Sequence, residues 1–231
     1  MRNPLVRFAL ALAVVGLLSG GFMSTERVSM AATSSAGECG GDEVSDWLCR
    51  EFGEVLVGKN VVRGPRPFRL KPKVLIKVGP SALARVMFAG QASCKLGDVL
   101  PWTVIRPRVA GGLFDQRSGS SACESLLGQR MAFNYFCGRD GPCPVRAEVD
   151  GKIFSEWHRL PPARPRRGRR AFAKELVLNI CATSFSVTVN GASTTGSSSE
   201  PIATVVRIVW EGHSGISASN ESGGEACSLE V

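Results

Sequence analysis

Eight cysteines, Cys39, Cys49, Cys94, Cys123, Cys137, Cys143, Cys181 and Cys227, all lie behind an N-terminal stretch that reads as a secretion signal. An even count spread over a chain bound for an oxidising compartment predicts four structural disulfides. Staples of that kind restrict the fold to those that bring paired α-carbons within about 7 Å. The pairing stays open, because eight cysteines allow on the order of a hundred connectivities. Cys137 and Cys143 could close a small loop around Gly138 to Pro142, and a bridge between Cys137 and Cys181 would straddle an Arg-rich segment. Metal binding would need clustered Cys and His at short spacing. Five residues separate Cys137 from Cys143, and His158 and His213 are isolated, so no metal site is predicted.

The signal has a positive start in Arg2 and Arg7 and an apolar core of 11 residues, Phe8 to Leu18. That core is too short for a bilayer of ~30 Å, which needs ~20 residues. Cleavage could follow Ser19-Gly20-Gly21 or Ser29-Met30-Ala31. Residues 1–31 are read as signal and short N-terminal segment, and 32–231 as one secreted domain. No later run approaches a membrane span, and Ser228 to Val231 match neither a retrieval nor a lipid-anchor signal. The expected product is soluble and extracellular.

The formal charge is +8, of which residues from 33 onward carry +6. Arg159, Arg164, Arg166, Arg167, Arg169 and Arg170 supply six positive charges within 12 residues, so the basicity is read as local and the remainder as near neutral. Pro161, Pro162 and Pro165 and the lack of hydrophobic periodicity make residues 159–170 an exposed loop. Two overlapping R-x-R-R runs resemble the recognition site of furin-type convertases. A docking patch for heparan sulfate or an acidic protein, and a solvated loop without a role, are the competing readings. Arginine rather than lysine throughout suits bidentate recognition of sulfate or carboxylate.

Elsewhere the texture is β. Val55 to Val62, Lys73 to Val78, Arg85 to Ala89, Val99 to Ile105, Met131 to Cys137, Leu176 to Cys181, Ser184 to Val189 and Ile202 to Trp210 are Val/Ile-rich or alternating runs. Asn190-Gly191 marks a tight hairpin turn. Two short helices are predicted. Asp42 to Phe52 places Val44, Leu48 and Phe52 at i, i+4, i+8, and Ser121 to Glu124 is a capping-box pattern opening SACESLLGQR. Arg106 to Ser120 and Ala192 to Glu200 read as polar connections, and Asn220, the acceptor of the one N-glycosylation sequon, as part of an exposed Ser/Gly-rich stretch. The fold class is all-β: a disulfide-bonded antiparallel β-sandwich with one or two short helices.

No G-x-S-x-G, H-E-x-x-H or Gly-rich phosphate loop is present, so no catalytic residue and no cofactor is predicted, and the chain reads as a non-enzyme. His158 reads as an ordinary surface histidine. Trp47, Trp102 and Trp210 read as core anchors, while Trp157 adjoins the Arg loop. Nucleic acid is not an expected partner of an exported chain whose basic run lacks interleaved aromatics.

The stretch VIRPRVAGGL (Val104 to Leu113), then SACESLLGQR, AFNYFC and KELVLNICATSFSVTVNG, resembles the secreted poxvirus immune-evasion domain. That family includes viral chemokine-binding proteins and the parapoxvirus inhibitor of GM-CSF and interleukin-2. The likeness covers residues 99–191. It implies a two-sheet β-sandwich that binds and sequesters a host cytokine, chemokine or immune receptor outside the cell. The family's acidic contact residues have no counterpart here. The basic loop instead favours an acidic partner or retention on heparan sulfate. The alternative is a secreted precursor cut after Arg167 or Arg170, its fragments joined by a disulfide. Such a chain would be an accessory subunit, like herpesvirus glycoprotein L, of the glycoprotein complex with which a virus enters cells.

Overall fold

The computed structural model describes residues 44–97, 102–108, 113–126, 128–136, 144–161, 173–211 and 215–227. Ser35–Val231 form one compact unit. The expected signal lies outside the described residues. The first half of the chain gives β1 (Trp47–Phe52), β2 (Val55–Val57), β3 (Asn60–Val61), β4 (Phe68–Arg69), β5 (Ile76–Val78), β6 (Leu83–Phe88), β7 (Ala92–Gly97) and β8 (Thr103–Pro107). Then follow β9 (Phe114–Ser118), β10 (Ser120–Ser125) and β11 (Met131–Tyr135). Four long strands complete the fold: β12 (Val145–Leu160), β13 (Ala173–Val189), β14 (Ala192–Glu211) and β15 (Gly215–Ala226).

All strands belong to one strongly curled sheet, and β12 is where it forks. One edge of β12 pairs with β13 along its whole length. The other edge pairs with β11 over Val145–Val149 and with β10 over Lys152–Glu156. From that shared edge one branch runs β11-β9-β8-β5-β2-β3 and the other β10-β7-β6-β1-β4. Period-2 alternation turns the apolar residues of both branches to a common interior. Phe88 on one branch meets Phe114 on the other at 5.6 Å between ring centroids, and Phe114 meets Phe133 at 5.2 Å. Aromatic pairs at such tilted contacts add to the burial term that holds the branches together.

The chain passes between branches at Gly119, where β9 ends and β10 begins. Its φ is +75°, a left-handed conformation that glycine adopts without penalty, and the Cβ of any other residue would lie 2.1 Å from Thr103 Oγ1. A buried polar cluster closes this corner. The Ser121 and Ser155 hydroxyls donate to Gln116 Oε1 at 2.8 and 2.9 Å, and Gln116 Nε2 donates to the Gly119 carbonyl at 3.0 Å. The Trp157 amide donates to the same carbonyl at 3.1 Å. The Ser120 amide and hydroxyl donate to Thr103 Oγ1 and the Gly97 carbonyl. Satisfied polar groups inside a core fix one arrangement, because any slip would strand them without partners. Burial also pushes the ionisation of Tyr135, which faces Ser155, far up.

β9 and β11 pair in parallel, so the sheet is mixed rather than purely antiparallel. The cause is the corner itself. β10 and β11 both run against β12, and β10 is the continuation of β9.

The all-β expectation holds, but the two helices do not form: no helix occurs among the described residues. Asp42–Phe52 contains β1 instead. A spacing of four residues satisfies a period of two as well as 3.6, so the Val44, Leu48, Phe52 pattern cannot separate them. Of the three only Leu48 is buried. Ser121 to Glu124 lies in β10, held between β7 and β12, where Cys123 sits opposite Cys94 and is bonded to it. Pairing on both edges plus a cross-strand disulfide outweighs a local capping pattern. Ala192 to Glu200, expected as a polar connection, is the first half of β14, and Asn220 lies in β15 opposite Val206.

The long strands form a meander. Asn190 (φ 51°) and Gly191 (φ 84°) make the expected two-residue turn, type I′ with both central residues left-handed. β12 and β13 shift register at Asp150/Gly151. Asp150 accepts hydrogen bonds there from the Thr183 hydroxyl and the Ser184 amide. Burial opposes its charge, but these donors and the Arg130 guanidinium outweigh that and hold the carboxyl below its ordinary value of 3.8.

Gly119→Ala is expected to destabilise the fold by roughly 3 kcal/mol or more in urea unfolding. Gly128→Ala, also left-handed but with open space around it, should cost about 1 kcal/mol. Asp150→Ala should lose about 1–2 kcal/mol at neutral pH. Because the folded carboxyl ionises below 3.8, its contribution is complete above that value and fades as pH falls through the lower folded value. The unfolding curves of wild type and variant should therefore converge in acid.

Candidate functional site

The β12–β13 hairpin carries the Arg-rich segment at its tip. Cross-strand pairs run without a break from Gly151↔Ala182 to Leu160↔Ala173. Trp157 to Leu160 extend past Glu156, the last residue of β12 that pairs with β10. Arg159 is therefore the exposed penultimate residue of a strand, opposite Lys174, and not part of a loop beginning at 159. Arg164, Arg166, Arg167, Arg169 and Arg170 lie outside the described residues.

Beneath the tip the inner face is closed by Trp157 on β12 and Trp210 on β14, both about 95% buried, with ring centroids 5.2 Å apart. Their indole N–H groups have no hydrogen-bond partner among the described residues. Trp157 is thus a core anchor that stiffens the hairpin, not an exposed contact beside the loop. On the outer face His158 Nε2 lies 3.5 Å from Glu156 Oε2, and Arg207 3.7 Å from Glu175. His158 stands half-exposed, as an ordinary surface histidine does. His213 lies outside the described residues.

The disulfides decide how a cut in the loop would behave. Cys94 bonds Cys123, and Cys181 bonds Cys227. Cys49 is also bonded, to a partner outside the described residues, as are the positions of Cys39, Cys137 and Cys143. Cys181 and Cys227 are the only cysteines after Arg170. Since they bond each other, no disulfide crosses the loop, and a Cys137–Cys181 bridge is excluded.

A second basic surface lies outside the Arg-rich segment, in a part of the chain expected to be near neutral. From residue 55 to 97 the chain has nine Lys and Arg and no Asp or Glu. Lys59, Arg63, Arg66, Arg69, Lys71 and Lys73 are all exposed, and none forms an ion pair with a described residue. They sit at a seam. β3 and β4 are the two ends of the twelve-strand path, and residues 62–67 tie them together. That strap spans at most about 25 Å. Val62 and Leu70 pin it inward, both buried, and backbone bonds hold each to Val55 and Asp46. Beside it a cleft of 410 Å³ is lined by Arg50, Glu54, Val61 and Arg63, among others.

Whole-chain charge hid this surface, because acidic residues elsewhere cancel it in the sum; charge counted in a moving window would have found it. Among the described residues no group of His, Cys, Asp and Glu is placed to hold a metal. No protein-family model, no curated protein and no solved structure matches the chain.

Convertase treatment of the secreted protein should release two bands on a denaturing gel without reductant, cut at Arg167 or Arg170. A cut chain that stays one band until reduced would contradict the Cys181–Cys227 pairing.

Proposed function

We propose that this chain is a secreted binding protein that captures an acidic extracellular protein ligand with the Arg-rich tip of the β12–β13 hairpin. The observation that carries the reading is the hairpin itself. An unbroken ladder, backed by the buried Trp157–Trp210 pair, ends where six arginines cluster in the sequence. Rigid presentation lowers the ordering cost of binding, and a cationic tip steers an anionic partner. Arginine forks pair two-pronged with carboxylates, which adds orientation to attraction.

A host cytokine, chemokine or immune receptor is the ligand implied by the resemblance to the poxvirus immune-evasion domain, with the two branches as the layers of its sandwich. Sequestration needs no reaction, only a slow off-rate. The disulfides suit such a role, since Cys94–Cys123 and Cys181–Cys227 constrain the unfolded chain and so favour a scaffold that survives outside the cell.

A screen of the purified secreted protein against immobilised cytokines, chemokines and immune receptors should find a ligand with Kd on the order of nanomolar. Replacing Arg164, Arg166, Arg167, Arg169 and Arg170 with Ser should weaken that binding about ten-fold or more, mainly through the on-rate. An empty screen, or a ligand indifferent to the five changes, overturns the reading.

A further inference from the structure

We infer that the strap between β3 and β4 is a binding site for a linear sulfated polysaccharide of the glycosaminoglycan class. The site is separate from the hairpin tip and stands whether or not the tip binds a protein.

Edge strands are commonly guarded by charge and proline, and that alone could explain a cation or two here. It does not explain six. β3 and β4 are two residues each, already too short to template another strand. Like charges gathered without counter-ions repel one another, so the cluster works against the fold that carries it.

Lys73 adds an independent observation. Residues 71–74 form a turn closed by the Val74 amide on the Lys71 carbonyl, with Pro72 and Lys73 in the middle. Lys73 has φ +64°, so the turn is type II, and its third position is the one that glycine or asparagine fills at least cost. A lysine held there is a local strain that places a cation on the surface, which is the pattern of a functional outlier.

The arrangement selects among anionic ligands. Arg63, Arg66 and Arg69 recur every third residue, and Lys71 and Lys73 follow at every second, with Pro65, Pro67 and Pro72 between them. Ring-locked prolines fix that spacing beforehand, so little order is lost on binding. Protein partners concentrate their energy in aromatic anchors sunk into closed pockets. This surface offers Arg63 and Arg66 on the strap and Lys59, Arg69, Lys71 and Lys73 on the residues that flank it, all exposed. Its apolar residues Val61 and Phe68 are about one-half and one-third exposed, and no aromatic ring among the described residues is sunk into a closed pocket there. A polymer bearing sulfate and carboxylate at regular intervals matches it. Arginine grips sulfate with two parallel N–H donors, and the lysines contribute point charge.

The test uses the full secreted protein with heparin oligosaccharides, chemically desulfated heparin and poly-glutamate as probes in a titration. Heparin should bind, with affinity falling about 100-fold between 50 and 200 mM salt as counter-ions are released. R63Q/R66Q/R69Q/K71Q should weaken binding about ten-fold or more. K73G should raise Tm by relieving the turn and at the same time weaken binding, a pairing of effects that a purely structural lysine would not show. The site is overturned if desulfated heparin or poly-glutamate binds as tightly as heparin. It is equally overturned if the strap variants bind like wild type while R164Q/R166Q/R167Q abolishes binding.

Discussion

One edge of β12 has to serve two strands, and most of the architecture follows from how that demand is met. β11 takes the first part of the edge and β10 the second, so the sheet must divide there. The chain can then cross between the divided halves only at a sharp corner. Gly119 allows the backbone to turn, and Gln116, Ser121 and Ser155 hydrogen-bond one another and the Gly119 carbonyl at the turn. With the corner fixed, Phe88, Phe114 and Phe133 meet across the interior, and the two far ends of the sheet come to lie a short strap apart. The cationic seam thus lies between the two ends of the strand path, farthest from the fork in strand order.

Much of the β content was legible because burial in a sheet writes a period of two into the sequence. Phe185, Val187 and Val189 show it, and so does Met131, Phe133, Tyr135. β12 shows it as clearly, with Val145, Ala147, Val149, Ile153, Ser155 and Trp157 all buried. It escaped the reading because Gly151 interrupts the count, and because the buried member at 155 is a serine whose partner, Gln116, lies 39 residues away. The second half of β14 was legible as Ile202 to Trp210, but its first half and β15 escaped for a related reason. These Ser/Thr/Gly-rich segments have little apolar content, so their strand character comes from the neighbours that pair with them.

The surface was less legible than the core. A run such as Arg164 to Arg170 stands out in one dimension, whereas the Lys59–Lys73 group is dispersed among Pro, Val and Phe and stands out only through its exposure on the strap and the residues flanking it. Trp157 illustrates the converse. Its nearness in sequence to the Arg run suggested an exposed contact, but strand alternation turns it inward onto Trp210. The two cationic runs fall on different parts of the chain, one between β12 and β13 and the other around β3 and β4.

The Cys181–Cys227 bridge also sets a timetable. In synthesis from the N-terminus, Cys94 meets Cys123 after 29 residues, but Cys181 must wait 46 residues for Cys227, which follows the other seven cysteines. During that interval every other cysteine is already present, so any early oxidation of Cys181 is a mispairing that exchange must undo. β13 and β14 can zip together meanwhile, since the Asn190-Gly191 turn needs only neighbouring residues. The hairpin thereby fixes Cys181 opposite Ala203 before β15 arrives, so the order in which strands are laid down brings Cys227 to a cysteine already in place.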